Sequence, residues 1–532
     1  MHKASAGSAA FNRTDAGNGE YFARLCGDRL RYDHRRGCWL IWDGHWWRDD
    51  STRSVRRLAK EAARSRYGQA TAIADLRERA EEARFAIGSE NRARLEAMLT
   101  SAETESPIAD AGDRWDADPW LLGVANGVVD LRTGTLRPGS PNDRITRHTD
   151  VPYERDARAP RWLRFLDEVF AGDEALIGFI GRAIGYSLSG DTSEQCLFTC
   201  YGTGSNGKSV LLAIIRAIAG GYAANTPFST FEGRSRTSIP NDLAAIAGAR
   251  LVTASETAED TRLNESRLKA LTGGDPITAR FLNHEYFTYR PVAKFWLAVN
   301  HKPRVVDDSY GFWRRVRLIP FTRQFGADAD RNLLETLTGE LPGILAWAVA
   351  CALAWQTEGL EAPTAVTAAT GSYRIESDPL ADFLTAACVT ADACSLPAGL
   401  AYRAYREWAV EAGLRERELL SSRTFGERMV GHFERVHTKA GNVYRGVGLL
   451  VPGTERTATT PEVKGLVKGP EHGEAKKRGS ASQQDLMEEE LESASTTRHP
   501  PPSEGMGLWT EPAIPSSKNR SFGSSTAEAL GR

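Results

Sequence analysis

Gly202-Thr203-Gly204-Ser205-Asn206-Gly207-Lys208-Ser209 fits the pattern G-x-x-x-x-G-K-[ST] at every fixed position. The apolar run Cys196-Leu197-Phe198-Thr199-Cys200-Tyr201 precedes it, and Val210, Leu211, Ile214, Ile215 and Ile218 follow at three- and four-residue steps. Gly220-Gly221 then supplies a helix stop. Strand, glycine loop and helix, in that order, predict a site for a nucleoside triphosphate. Glycines without a Cβ let backbone N–H groups wrap the phosphates, and the positive end of the following helix points at the same charge. Lys208 is expected to reach the β- and γ-phosphates, and the Ser209 hydroxyl to ligate Mg²⁺.

The chain has 532 residues, enough for several domains, and balances 67 Lys+Arg against 69 Asp+Glu. There is no global electrostatic case for nucleic acid, so any such binding must come from local basic patches or a ring that concentrates charge. Seven cysteines are scattered without paired Cys-x-x-Cys spacing, which argues against structural zinc and suits a reducing cytoplasm. Met1 to Asp15 lacks the apolar core of a signal peptide. Ile344 to Trp355 is too short to span a bilayer and reads as a buried helix, so no membrane partner is expected.

Five regions are expected: a leader (1–16), an α+β domain (17–190), an α/β domain around the glycine loop (191–375), a small domain (376–452) and a disordered Ser-, Pro- and Glu-rich tail (453–532). A hairpin turning at Asp43-Gly44 is expected within the Trp-rich segment 21–49, and another at Arg132-Thr133-Gly134. Two helices broken near Gly88-Ser89 should fill Ser54 to Thr100, and helical pattern resumes from Arg161 to Ser187. In the α/β region, strands are expected at Cys196–Tyr201, Arg250–Ala254, Phe295–Val299 and Val316–Phe321, with helix from Leu333 to Trp355. Gly507-Leu508-Trp509 is a lone apolar spot in the tail.

ATP hydrolysis needs an acid near Mg²⁺ and the attacking water. Arg250-Leu251-Val252-Thr253-Ala254-Ser255-Glu256 is a buried-strand pattern ending in a carboxylate, so Glu256 is the candidate, with Glu259 and Asp260 able to share the role. Lys294 to Val299 is a second apolar strand, and the Asn300 amide beyond it can both donate and accept toward the γ-phosphate and the water. Gly311-Phe312-Trp313-Arg314-Arg315-Val316-Arg317 offers Arg314 or Arg315 as an arginine given to a neighbouring subunit's γ-phosphate. Between Glu256 and Asn300 lies Leu271 to Arg290, whose second half alternates and can fold back around Asn283-His284-Glu285. Its mixture of basic and aromatic residues suits a single strand, with Arg280 and His284 the residues to test.

This order of motifs resembles the superfamily 3 helicases, in particular the helicase half of the phage and plasmid primase family related to poxvirus primase-helicases. Gly202–Ser209 resembles the Walker A motif, Arg250–Glu256 the Walker B motif, and Trp296-Leu297-Ala298-Val299-Asn300-His301-Lys302-Pro303 the sensor 1 segment. Trp313-Arg314-Arg315 resembles the arginine-finger region. Asn126 to Leu131 and Gly185 to Gly190 resemble the N-terminal helicase-associated region. The resemblance implies an AAA+-like P-loop core, a hexameric ring, 3′→5′ movement on single-stranded DNA, and ATP held between subunits. Residues 379–450 resemble a winged-helix domain, which makes Arg423, Arg428, Lys439 and Arg445 candidate DNA contacts. Asp116-Ala117-Asp118 sits without an apolar strand, so primase catalysis is expected to be absent and a separate primase or loader to be a partner. Single-stranded or forked DNA is the expected substrate, in replication of a phage, plasmid or integrated element. An ATP-regulated initiator without unwinding is the competing reading, and a small-molecule kinase the third.

Overall fold

The computed structural model describes residues 11–450 apart from 234–240, 257–260, 283, 306, 308, 327–328, 415 and 417–418. Glu259, Asp260, Asn283, the tail and its Gly507-Leu508-Trp509 lie outside the described residues. The first helix, α1 (Asp15–Cys26), is capped by Thr14, whose hydroxyl accepts from the Gly17 N–H at 3.0 Å. It starts two residues inside the stretch expected as leader. Strands β1 (Leu30–Asp33), β2 (Cys38–Trp42) and β3 (Trp47–Asp49) form an antiparallel meander, with the expected hairpin at Asp43-Gly44.

Three helices, α2 (Ser54–Ala70), α3 (Leu76–Ser89) and α4 (Arg92–Ala102), occupy the stretch expected to hold two. The additional break has a local cause. The Asp75 carboxylate accepts from the N–H groups of Arg77 and Glu78, at 3.0 and 2.8 Å, and so starts a new helix. Strand β4 (Ala109–Asp110) joins β1 in parallel, and β5 (Leu121–Val124), β6 (Gly127–Asp130) and β7 (Thr135–Arg137) make a second antiparallel sheet. The helical run after Arg161 divides into α5 (Pro160–Phe170) and α6 (Glu174–Leu188), because Ala171 and Gly172 adopt φ of +53° and +73°.

The central sheet is parallel throughout. Along the chain come β8 (Leu197–Tyr201), α7 (Lys208–Ala219), β9 (Ala223–Asn225), α8 (Asn241–Ala245), β10 (Leu251–Ser255), α9 (Glu265–Gly273), β11 (Ile277–Ala279), β12 (Phe287–Tyr289), β13 (Lys294–Val299), α10 (Tyr310–Trp313) and β14 (Val316–Pro320). Across the sheet the order is β14-β8-β13-β10-β9. Four of these strands match expected apolar runs. The fifth, β9, is Ala-Ala-Asn and carries no such run. Side chains alternate between faces. Phe198, Cys200, Trp296 and Ala298 enter the core shared with α5, α6 and α7, whereas Leu197, Phe295, Leu297 and Val299 enter the core on the other face. Each fully buried large apolar side chain there contributes roughly 1.5–3 kcal/mol. The Trp296 indole N–H also donates to Ser187 Oγ at 3.0 Å, tying β13 to α6.

The apolar segment after β14 forms α11 (Leu333–Gly339) and α12 (Leu341–Glu358), which meet at 73° rather than continuing as one helix. Ile344, Leu345 and Val349 of α12 are buried in the same core as α5, α6 and α7. Among the described residues no single helix is long and apolar enough to cross a membrane. Helix α13 (Thr364–Glu376) packs beside β14, where the Thr370 hydroxyl accepts from the Leu318 N–H at 3.0 Å. Beyond it lie α14 (Pro379–Ala387), β15 (Cys388–Pro397), α15 (Ala398–Glu411), α16 (Ser422–His432), β16 (Arg435–Thr438) and β17 (Gly441–Leu449). Their strands pair antiparallel in the order β15-β17-β16 around a separate core that includes Phe383, Leu396, Tyr405, Phe425 and Met429.

Candidate functional site

Three neighbouring strands end level. Tyr201 lies beside Val299 and Pro320, and Ser255 beside Ala298, so the register delivers Gly202, Glu256, Asn300 and Phe321 to one edge of the sheet. The carboxyl edge is where open parallel sheets hold ligands. There the chain turns through Gly204, Ser205 and Gly207 at φ of +105°, +47° and +86° before entering α7. A Cβ on Gly207 would lie 2.7 Å from Val169 Cγ2, and one on Gly202 would lie 2.5 Å from the Phe321 carbonyl oxygen. Two bonds strap the loop from the segment after β14. The Gln324 amide donates to the Thr203 hydroxyl, and the Phe325 N–H to the Ser205 carbonyl, both at 2.7 Å.

Lys208 is 5% exposed, and its ammonium donates to the Gly202 carbonyl at 2.5 Å and to Asn206 Oδ1 at 3.0 Å. Burial lowers its pKa below the ordinary lysine value. These partners are neutral oxygens within the loop, which phosphate oxygens can replace. Ser209 is exposed in the first turn of α7. Glu256 is 8% exposed, just beyond β10. Its Oε1 accepts from the Thr261 hydroxyl, its Oε2 from the His301 N–H at 3.3 Å, and its own N–H donates to the Ala298 carbonyl at 2.9 Å. Asn300 is exposed immediately after β13. A buried ammonium that contacts no carboxylate among the described residues, an exposed hydroxyl and a fixed carboxylate fit a triphosphate with Mg²⁺. Among the described residues, Ser209 and Glu256 are side chains that could hold the ion. Thr261 was not legible in the sequence, because no spacing rule links it to Glu256.

The two arginines are elsewhere. Arg315 offers its carbonyl to the Leu197 N–H at 2.9 Å, so Arg314 and Arg315 flank the amino end of β8, whereas the loop leaves its carboxyl end. A five-residue strand separates the two ends by roughly 16 Å at about 3.3 Å per residue. Arg314 is exposed and bonded to Gln195 Oε1. Arg315 is held by the Thr272 hydroxyl at 3.1 Å and by the Gly311 carbonyl, and burial lowers its pKa. On this same edge stand two fully buried cations. Arg250 donates to the carbonyls of Leu188, Leu121 and Asp118, and Lys294 to those of Ser189, Asp191 and Val292. Burial holds Lys294 well below the usual lysine pKa.

Strands β11 and β12 form the hairpin expected after α9. The Arg280 guanidinium lies 4.6 Å from the Tyr286 ring centroid, and His284 is exposed in the turn. Phe281, Leu282 and Tyr286 are 45%, 60% and 58% exposed, so aromatic residues of the kind expected in this hairpin stand open to solvent beside one apolar neighbour. In the C-terminal unit, Arg423 is exposed and pairs with Glu427 at 2.9 Å, Lys439 is exposed in the β16–β17 turn, and Arg445 lies 3.7 Å from Glu434. Arg428 differs from these: it is mostly buried and bonded to Asp378 Oδ1 at 2.7 Å, a contact that joins α16 to the start of α14. Asp116 accepts from the N–H groups of Thr146 and Arg147, and Asp118 from the Trp120 N–H and the Arg132 guanidinium, so both acids are held by structural partners within the N-terminal region. Among the described residues, no group of three or more His, Cys, Asp or Glu side chains is arranged to hold a metal ion.

Family models match three segments: "D5 N terminal like" over residues 19–171, the family of unknown function DUF5906 over 200–315, and "Poxvirus D5 protein-like" over 375–446. The chain is 29% identical over 321 residues to "Putative helicase L207/L206" of Acanthamoeba polyphaga mimivirus, a match covering 55% of this chain and 33% of that protein. It is 26% identical over 385 residues to "Putative helicase 022R" of Frog virus 3 (isolate Goorha), covering 56% and 39%. The "Putative primase C962R" of African swine fever virus (isolate Tick/Malawi/Lil 20-1/1983) matches at 27% identity, covering 41% and 23%. The matches thus span well under half the length of these relatives. Among solved structures, the apo structure of the NrS-1 C terminal region (305-718) superposes with a TM-score of 0.45 at 10% identity, covering 81% of this chain and 99% of that one.

Proposed function

We propose that this chain, whose matches support the D5-type primase-helicase family, is an ATP-dependent DNA helicase working as a ring of identical subunits in replication of a phage, plasmid or integrated element. The observation that carries this reading is the division of one machinery between opposite edges of one sheet. Lys208, Ser209, Glu256 and Asn300 share the carboxyl edge, while Arg314 is exposed at the amino edge, beyond reach of its own loop. An arginine so placed acts on phosphates only if another copy presents them. The strand order supports an AAA+-like core: numbered by their sequence, the strands run fifth, first, fourth, third, second. The order helix, strand, helix, helix, strand, strand from α14 to β17 supports a winged-helix reading of the C-terminal unit. Movement 3′→5′ and six subunits rest on the family alone.

In this reading the loop N–H groups and Lys208 hold the β- and γ-phosphates, and Lys208 exchanges its two loop oxygens for phosphate oxygens. Mg²⁺, held by Ser209 and through water by Glu256, would neutralise charge on the bridging phosphates. Glu256, aligned by Thr261 and the His301 N–H, accepts a hydrogen bond from the attacking water and polarises it. Asn300 positions that water against the γ-phosphate. Arg314 of the neighbour stabilises the charge that develops on it. Between the two Trp-Arg-Arg arginines the geometry favours Arg314, because it is exposed and bonded to the Gln195 side chain, whereas Arg315 is half-buried on two acceptors. The aromatic hairpin tip, with Arg280 and His284, faces single-stranded DNA in the channel, where rings stack on bases and cations follow the backbone.

The test is unwinding of a forked duplex by the wild type and E256Q. The expected result is that E256Q binds forks and ATP but neither hydrolyses nor unwinds. Normal unwinding by E256Q overturns the mechanism. Wild-type ATP hydrolysis and fork binding without unwinding would instead identify an ATP-regulated initiator.

A further inference from the structure

Lys302 joins three parts of the molecule that the proposed reaction uses separately. It stands two residues beyond Asn300. Its ammonium lies 5.0 Å from the ring centroid of Tyr201, the residue at the end of β8 from which the phosphate loop departs. The same ammonium donates to both carboxylate oxygens of Glu376, at 2.8 and 2.7 Å. Glu376 is the last residue of α13. The flanking residues are wired to the same places. The His301 N–H donates to Glu256 at 3.3 Å, and the Pro303 carbonyl accepts from the Tyr373 hydroxyl on α13. The Arg304 N–H donates at 2.8 Å to the carbonyl of Thr261, whose hydroxyl aligns Glu256. Two residues after Glu376, the Asp378 carboxylate caps α14 at the Leu380 N–H and receives Arg428 from α16.

The Lys302 side chain is 19% exposed and that of Glu376 54%. An ion pair this open to solvent adds little to folding. Its placement is the informative property: it fastens the turn that carries Asn300 to the helix entering the C-terminal unit. We propose that Lys302 is a positioning residue that couples the Glu256–Asn300 turn to the C-terminal DNA-binding unit. This rests on the nucleotide-site reading above. When the turn settles on the γ-phosphate, Lys302 draws on the last turn of α13, and the α13–α14 junction carries that displacement to α15 and α16. The coupling is reciprocal for binding: nucleotide alters DNA affinity and DNA alters nucleotide affinity by the same factor.

The experiment uses the full chain. DNA affinity is read by fluorescence anisotropy of a single-stranded oligonucleotide, with and without a non-hydrolysable ATP analogue. In parallel, kcat and KM for ATP are measured with and without that oligonucleotide. For K302A and E376Q, stimulation of kcat by DNA is expected to fall at least ~5-fold and the nucleotide-dependent change in DNA affinity to vanish, with KM measured without DNA within about twofold of wild type. The charge exchange K302E/E376K is expected to restore most of the coupling, which a merely structural loss would not do. Wild-type coupling in both single variants, or no recovery in the exchange, overturns the proposal. E376Q keeps shape on an exposed side chain and carries the test if K302A does not fold. If the wild type neither binds nor hydrolyses ATP, the site reading itself is what fails. If it hydrolyses ATP without any response to DNA, the coupling alone is overturned.

Discussion

The two edges of the central sheet use cations in opposite ways. At the carboxyl edge, Lys208 is buried against two oxygens of its own loop, which the proposed function has it exchange for phosphate. At the amino edge, Arg250 and Lys294 are buried on six backbone carbonyls contributed by residues 118, 121, 188, 189, 191 and 292. Those two staple the N-terminal region to the sheet and have no exchange to make. Arg314 is the exception on that edge, because it is exposed and bonded to one side-chain oxygen, that of Gln195. Burial by itself therefore does not mark function. In the proposed reading, what separates Lys208 from the structural cations is whether its acceptors can leave: loop oxygens would be replaced by phosphate, whereas carbonyls of a packed chain junction would not.

That contrast can be broken most severely at Glu256 and Lys208. E256Q is expected to lower kcat for ATP by roughly 10²–10³-fold while leaving nucleotide affinity within an order of magnitude, and K208A to lose affinity as well. Steady-state hydrolysis beside calorimetric binding separates the two. On the other edge, R314A is expected to lose ~10³-fold in kcat in the assembled state. Mixing R314A with K208A chains should recover part of the activity, since some junctions then pair an intact loop with an intact arginine. Failure of the mixture to recover would return Arg314 to a role within its own subunit.

The staples are expected to report on stability rather than turnover. K294M leaves three buried carbonyls without their donor and should cost at least ~2 kcal/mol in urea unfolding, against a smaller loss for R315A, whose acceptors are fewer and closer to solvent. A pH series sharpens the Lys208 side of the comparison. Burial lowers its pKa in the free protein, and a bound triphosphate raises it, so binding takes up a proton in the interval between the two values. Nucleotide affinity should accordingly be full below the free-state pKa and fall as the pH rises above it, a slope that K208M would lack. The smallest effect is expected at Arg423, exposed at the start of α16. R423A should leave the urea unfolding midpoint unchanged, yet lower the salt dependence of DNA binding by roughly one counterion.

Much of the carboxyl edge is legible in the sequence. The loop reads directly because its glycines answer to backbone angles that few other residues adopt, as at Gly204 and Gly207. Glu256 and Asn300 read because each follows an apolar strand long enough to be recognised. Strand β9 does not, since three residues of Ala-Ala-Asn have no periodicity and pair only because β10 lies beside them. The split of α2 from α3 turns on one Asp side chain, and Arg428 reads as a surface cation because its partner, Asp378, is 50 residues away in sequence.

Local pattern and spacing are enough to nominate the groups of the proposed chemistry: a glycine loop, an acid, an amide and two arginines. Where these groups meet is a property of the folded sheet alone. Parallel pairing in a common register brings strands that are distant in sequence to end at one edge, and the same pairing puts the arginines at the other. That placement depends on long-range hydrogen bonds between strands, which leave no mark on the residues nearby in sequence. It sets Lys208 and Arg314 at opposite edges of one sheet, the separation on which the proposed intersubunit site rests.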